Sequence, residues 1–269
     1  MDSRTIFMLD NIQIILVNTT HPGNIGAAAR AMKTMGLSHL RLIQPKIFPC
    51  ADATVRAAGA DDILANAQLF DSFEESLKDC HLILGTSARV RSLAWPTLSA
   101  KACAEKAFTF QGKVAIVFGR ESTGLTNQEL ELCHYLIRIP TEPTFSSLNV
   151  AAAVQILAYE LRCASLLPSL DKEGVEEIKE SGKEITAAIP TSSEKGEFAK
   201  LPKASARSMA QFYQHLEQTL IEIDFLNPEK PRRLMRRLHR LFNRVQLIDS
   251  EVRILRGILT ATQKLVKKQ

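Results

Sequence analysis

An α/β fold built on a mostly parallel sheet is the architecture this 269-residue chain predicts. Three observations predict it. Short apolar runs alternate with helical segments from Ile12 to about Leu167. Those runs are apolar on both faces, which suits strands covered by helices on either side better than strands with one wet face. Loops of small, polar and Gly/Pro residues follow several runs and feed directly into helix starts. In parallel sheets that arrangement gathers ligand sites at the carboxyl ends of the strands.

Ile12–Val17, Leu40–Ile43, His81–Leu84, Val114–Phe118 and Leu136–Ile139 read as strands. Asn24–Met35 reads as an Ala-rich helix closed by Gly36, because glycine accepts the left-handed backbone just past a helix end. Ser72–Lys78 and Thr126–Glu131 open with Ser72/Glu75 and Thr126/Glu129, the spacing of a capping box. Leu148–Leu166 is a long apolar helix behind a Ser146–Ser147 start. Residues 168–207 are acidic and punctuated by Pro168, Gly174, Gly182, Pro190, Gly196 and Pro202, which reads as a linker. Beyond it, Ser208–Phe225, Arg232–Val245 and Ser250–Lys268 read as three helices, with Pro228 and Pro231 breaking the chain after the first. In the second of these, Leu234, Leu238, Leu241, Phe242 and Val245 fall on one face and Arg233, Arg237, Arg240 and Arg244 on another stripe. None of the three buries its apolar face alone, so they pack on each other or on a second subunit. The expected division is an α/β body over 1–167, a flexible acidic linker over 168–207 and a basic helical extension over 208–269.

Charge follows that division. Residues 1–170 are neutral, residues 171–199 carry a net −4 and residues 200–269 carry +9. A neutral body with a basic appendage points to a polyanionic partner held partly by the appendage. Cys50, Cys80, Cys103, Cys133 and Cys163 are odd in number and contain no CxxC pair, which argues against a disulfide framework or a zinc site and for a reducing, cytoplasmic setting. The N-terminal residues read as a strand behind acidic residues, not a signal peptide, and no run approaches a membrane span. The six histidines show no metal-ligand spacing, so no metal is expected, and no Ser/His/Asp triad is apparent.

Three loops and one charge stand out. His21-Pro22-Gly23-Asn24-Ile25-Gly26 lies between a strand and a helix, but its GxxG spacing is not the GxGxxG of a dinucleotide site. Gly119–Gly124 has GxxxxG spacing and lacks the Lys-Ser/Thr of a P-loop, so triphosphate binding loses. Gly85-Thr86-Ser87-Ala88-Arg89 lets a ligand approach the backbone, or is an ordinary loop. Arg30 sits amid alanines, where it must emerge into a cleft or pair. Ser146 and Ser147 equally suit a plain helix cap, and Trp95 with Pro96 reads as packing.

Taken together, NTTHPGNIGAAARAMKTMG, VFGRESTGLTNQEL and RIPTEPTFSSLNVAAAVQILAYEL closely resemble, in order, the three signature motifs of the SpoU branch of the SPOUT RNA methyltransferases. FYQHLEQTL, RRLMRRLHRLF and SEVRILRGIL resemble the helical extension of its TrmJ-like subgroup. The resemblance implies transfer of a methyl group from S-adenosylmethionine to a ribose 2′-hydroxyl of tRNA, at the anticodon-loop pyrimidine, nucleotide 32. It also implies a homodimer with sites at the subunit interface and a deep trefoil knot in the sheet. The residues alone suggest an unknotted sheet, knots being rare. Another tRNA or ribosomal RNA position, or a non-catalytic RNA-binding member, are the alternatives. By position, Thr86, Ser87, Ala88, Gly119, Ile139, Ser146, Ser147 and Leu148 match cofactor contacts, and Arg30, Asn24 and Ser147 match catalytic positions. Glu121 and Asn149 match residues that shape the site. Arg233, Arg237, Arg240 and Arg244 are the expected RNA contacts outside the body.

Overall fold

A computed structural model describes residues 9–88, 95–173, 202–229 and 233–266. Arg89, the bulk of the expected linker, Pro231, Arg232 and Lys268 lie outside them. The chain opens with β1 (Ile12–Val17), α1 (Pro22–Thr34), β2 (His39–Ile43), α2 (Ala51–Ala57), α3 (Asp61–Ala65) and β3 (Gln68–Phe70). It continues through α4 (Phe73–Leu77), β4 (Leu82–Thr86), β5 (Thr97–Leu98), α5 (Ala100–Thr109), β6 (Val114–Phe118), α6 (Asn127–Glu131), β7 (Tyr135–Ile137) and α7 (Val150–Glu173). Three further helices follow: α8 (Ala206–Glu222), α9 (Leu234–Val245) and α10 (Asp249–Val266).

The strands form one parallel sheet in the order β3-β2-β1-β6-β4-β7-β5. Two late strands therefore insert between earlier ones: β6 between β1 and β4, and β7 between β4 and β5. Both sheet faces are buried, as doubly apolar strands require. Along β1, Ile14 and Leu16 join one core cluster with Ile25, Ala29 and Met32 of α1 and Val154 and Leu157 of α7. Ile15 and Val17 face the other way, with Phe73 and Leu77 of α4 and Leu130 of α6. Alanine dominates α1 because the helix lies close to its neighbours. A Cβ on Gly26 would sit 2.0 Å from the Ala53 carbonyl oxygen of α2, so only glycine permits that approach.

The helical extension has its own core of Met209, Phe212, Tyr213, Leu216, Leu247 and Val252, with Leu238 and Phe242 packed against it. Phe212 and Phe242 meet edge to face at 4.9 Å. This unit docks on the amino ends of the strands. The Ala206 amide donates to the Cys80 carbonyl just before β4 (2.9 Å), Asn243 Nδ2 donates to the Glu131 carbonyl (3.0 Å), and Arg236 pairs with the Glu131 carboxylate.

Several expectations need correction. The long helix does not start at Ser146–Ser147. It starts at Val150 and is capped by Asn149, whose Oδ1 accepts from the Ala151 amide (2.9 Å). Ile139 lies beyond the end of β7 at Ile137, and β4 continues through Thr86. Leu241 and Val245 are exposed rather than packed with Leu238 and Phe242. The capping box at Thr126/Glu129 is complete, whereas at Ser72 the hydroxyl accepts from the Glu75 amide without a reciprocal bond among those described.

Candidate active site

The carboxyl ends of β4, β6 and β7 open into a cavity of about 360 Å3. That is enough for a nucleoside-sized ligand. Three segments supply it. Thr86 ends β4 and runs into Ser87 and Ala88, Gly119 follows β6, and the loop between β7 and α7 contributes Ile139, Ser146, Ser147 and Leu148. All eight expected cofactor contacts therefore line one space. Phe118, Ile137, Val150 and Ala153 add apolar wall that read as ordinary core in the sequence.

Each loop is fixed by bonds its sequence specifies. Thr86 Oγ1 donates to the Val117 carbonyl (3.0 Å), and the Ser87 amide donates to the Ile137 carbonyl (3.1 Å), so the β4 end is tied to both neighbouring strands. After β6 the chain doubles back in a bridge between Arg120 and Gly124. A Cβ on Gly119 would lie 2.3 Å from the Gly124 carbonyl carbon, so this turn admits glycine alone. Arg120 lines the cavity but is engaged: its guanidinium donates to both Glu129 oxygens (2.9 and 3.0 Å) and to Asn18 Oδ1 (2.6 Å).

Glu121 is the hub that joins the three motifs. Its carboxylate accepts from the Thr20 amide (3.1 Å), the His21 amide (3.4 Å) and Asn24 Nδ2 (3.1 Å). Asn149 Nδ2 donates in turn to Asn24 Oδ1 (2.9 Å). Burial works against the charged form, yet the bonds from its own backbone, Asn24, Thr20 and His21 win and hold the carboxyl below its usual range. The motif pattern marks Glu121 and Asn149 as shaping residues, and the geometry gives the reason: one side chain sets the entry angle of α1 and the other caps α7.

The expected catalytic residues are not brought together in one chain. Ser147 lines the cavity, and Asn24 reaches it through Glu121 and Asn149. Arg30 is exposed on α1 and does not line the cavity. The arginine stripe lies elsewhere, at the amino end of the sheet. Arg233 precedes α9, Arg237 and Arg244 are exposed, and Arg240 stacks over the Trp95 ring at 5.3 Å. Arg236, absent from the expected set, anchors the helix instead. Among the described residues, no helix is long and apolar enough to cross a membrane, and no three His, Cys, Asp or Glu side chains group as metal ligands.

Residues 11–159 match the SpoU rRNA methylase family, and residues 207–269 match the C-terminal domain of the tRNA methyltransferase TrmJ. The chain is 49% identical over 263 residues to a tRNA (cytidine/uridine/adenosine-2′-O-)-methyltransferase TrmJ of Pseudomonas aeruginosa, covering 97% of this chain and 96% of that protein. It is 42% identical over 259 residues to the tRNA (cytidine/uridine-2′-O-)-methyltransferase TrmJ of Escherichia coli, covering 96% and 97%. Among solved structures, TrmJ from Zymomonas mobilis superposes with a TM-score of 0.75 at 30% identity, covering 93% of this chain and 97% of that one. A probable methylase family protein from Haemophilus influenzae gives 0.59 at 40%, covering 96% and 98%. With two motif loops lining one cavity, the first motif bonded to both, and the matches running through the helical extension, the chain belongs to the SpoU methylase family, in its TrmJ group, and is an RNA methyltransferase.

Proposed function

We propose that the chain transfers a methyl group from S-adenosylmethionine to the ribose 2′-hydroxyl of tRNA, at the anticodon-loop pyrimidine, nucleotide 32. The observation that carries the reading is one cavity lined by the end of β4 and by the second and third motif loops, with the first motif bonded to them through Glu121 and Asn149. The residues present fit the cofactor. Apolar wall from Phe118, Ile137 and Ile139 suits an adenine, and the hydroxyls and backbone of Thr86, Ser87, Ser146 and Ser147 suit the polar amino-acid end. Relatives named for tRNA ribose 2′-O-methylation across nearly the full length support the substrate; the Escherichia coli relative is named for cytidine and uridine, and the Pseudomonas aeruginosa relative for adenosine besides. A cytoplasmic, tRNA-processing role goes with that reading, as does the trefoil knot that the family resemblance implies.

The bound sulfonium supplies an activated methyl group. The chain's own residues align the 2′-oxygen in line with it and exclude water. A guanidinium is a poor base, so Arg30 serves by holding an RNA phosphate and stabilising the developing alkoxide. The exposed position of Arg30 supports a homodimer in which a second copy completes the site. So does the uncovered stripe of Ala152, Tyr159 and Leu166 on α7 beside exposed Phe145. Arg30→Ala is expected to abolish methyl transfer, measured with tritiated cofactor and tRNA, while calorimetric cofactor binding stays at the wild-type value. Near wild-type transfer sinks the assigned role. Mapping the methylated nucleotide on tRNAs carrying each base at position 32 tests the site and the base range.

A further inference from the structure

Two strands that run side by side in the sheet end in the same unusual way. Asn18 follows β1 at φ 46° and Gln44 follows β2 at φ 44°, both in the left-handed region that glycine enters at least cost. Each completes the ladder with its own amide: Asn18 donates to the Ile43 carbonyl (2.8 Å) and Gln44 to the Phe70 carbonyl (3.0 Å). A glycine would make both turns and both of these bonds, so the backbone alone does not call for either side chain.

The side chains form a row instead. Asn18 Nδ2 donates to Gln44 Oε1 (3.2 Å) and to the Gln44 carbonyl (3.3 Å), and Gln44 Nε2 donates to the Asp71 carbonyl just past β3 (2.7 Å). At the other end stands Arg120, whose Nη2 donates to Asn18 Oδ1 (2.6 Å) while both Nη atoms hold Glu129. Arg120 only donates and the Asp71 carbonyl only accepts, so the two amide side chains between them have one consistent orientation. The row thus crosses the carboxyl ends of β6, β1, β2 and β3, four neighbours in the sheet.

Arg120 belongs to the 119–124 turn, which walls the cofactor cavity and is closed by the Gly124 amide donating to the Arg120 carbonyl (2.9 Å). The next residue, Glu121, grips the β1–α1 connection at Thr20, His21 and Asn24. Two adjacent side chains of opposite charge therefore fasten one turn to one connection at two points. Held at Glu121 alone, the turn would be free to pivot about that carboxylate, and the Asn18 contact removes this freedom.

We infer that Asn18 is a positioning residue for methyl transfer: through Arg120 it keeps the cofactor turn in register with the start of α1, where Asn24 stands. Asn18 does not line the cavity, so it acts only through its neighbours. The inference rests on the S-adenosylmethionine and tRNA reading above and adds a residue to it. The competing reading is a plain turn residue, since asparagine enters the left-handed region more readily than most. The two readings differ in what glycine does at this position.

Asn18→Gly keeps the backbone and deletes the row's central bonds. Its denaturant unfolding midpoint is expected to stay at the wild-type value, relief of the left-handed backbone offsetting the lost bonds. The calorimetric Kd for S-adenosylmethionine is expected to rise about fivefold, the scale of one lost hydrogen bond. At saturating cofactor, kcat with full-length tRNA is expected to fall about tenfold, as displacement of a reacting group by a fraction of an ångström does, with KM for tRNA unchanged. Asn18→Asp keeps the acceptor for Arg120 while losing the donor to Gln44, and is expected to bring Kd and kcat back to within about twofold of wild type. Wild-type Kd and kcat in Asn18→Gly overturn the positioning role and leave the methyltransferase reading in place. So does a loss that comes with a lowered unfolding midpoint, or one that Asn18→Asp does not repair. Absence of S-adenosylmethionine binding in the wild-type protein overturns both.

Discussion

The two ends of one parallel sheet are built by different means. At the carboxyl end the cavity is shaped mainly by backbone: glycine turns, strand-end amides and small hydroxyl side chains, with Arg120, its one arginine among the described residues, held by Glu129. At the amino end, charged side chains do the shaping. Arg41 forks onto Asp79 (2.7 and 2.9 Å), Asp79 also accepts from Lys113 (2.7 Å), and the docked helix α9 presents its arginines beside Trp95. The difference suits the proposed occupants, a cofactor at the carboxyl end and RNA at the arginine-bearing helix. A compact cofactor needs close approach and few charges, which favours residues without bulk. A polyanion needs cations at distances set by a rigid support, which favours long side chains on an anchored helix.

The sharpest way to break the comparison is Gly119→Ala. A methyl group 2.3 Å from the Gly124 carbonyl carbon must push the turn open, and a loss of about 3 kcal/mol, roughly a hundredfold, is expected in calorimetric cofactor binding. RNA affinity of the variant is expected to stay near wild type. Wild-type cofactor affinity in this variant contradicts a backbone-shaped site.

Next in size is Asp79→Asn. The Arg41 hydrogen bond, opposed by burial and reinforced by Lys113, holds the Asp79 carboxyl well below its ordinary range. Removing that charge leaves buried Arg41 with the Ser76 carbonyl as its main support, and a loss of about 2 kcal/mol in denaturant unfolding is expected. A lowered native pKa stabilises above the unfolded value of about 3.9 and is lost as pH falls through the native one. The gap between wild type and variant is therefore full at pH 6 and narrows below about pH 4. A gap independent of pH refutes the ion pair as its source.

The smallest effect is at Thr126, whose hydroxyl accepts from the Glu129 amide (3.2 Å) in the complete capping box. Thr126→Ala is expected to cost about 1 kcal/mol of unfolding free energy. Because Glu129 also orients Arg120, a small rise in cofactor Kd accompanies it. A rise without any stability change separates the two roles of Glu129.

The sequence shows most of this sheet and only part of the site. Ile12–Val17 and Val114–Phe118 are legible to the residue because each is a continuous apolar run between turn signals. Gln68–Phe70 and Thr97–Leu98 escape notice, since three and two residues carry no periodicity. Ser146–Ser147 looks like a helix start because hydroxyls cap helices well, yet Asn149 is nearer and caps Val150 onward. The residues facing the cofactor cavity come from resemblance to a family. Phe118, Val150 and Ala153 pass as core because an apolar wall and an apolar core have the same composition. Trp95 reads as packing and is packed: it sits against the core cluster, donates to the Cys133 carbonyl and lies under Arg240.

The strand order has a consequence for how the protein comes into being. β4 has no neighbour in the sheet until β6 has been made and gains its second only with β7, and β5 has none until β7. Ile12 pairs with Val114, so the central seam closes only after more than a third of the chain has left the ribosome. A nascent or truncated chain ending before β7 carries β5 unpaired and lacks one wall of the cofactor cavity. Long-range pairing of this kind makes assembly slow. Under the proposed function, cofactor capture waits until synthesis has passed the last strand.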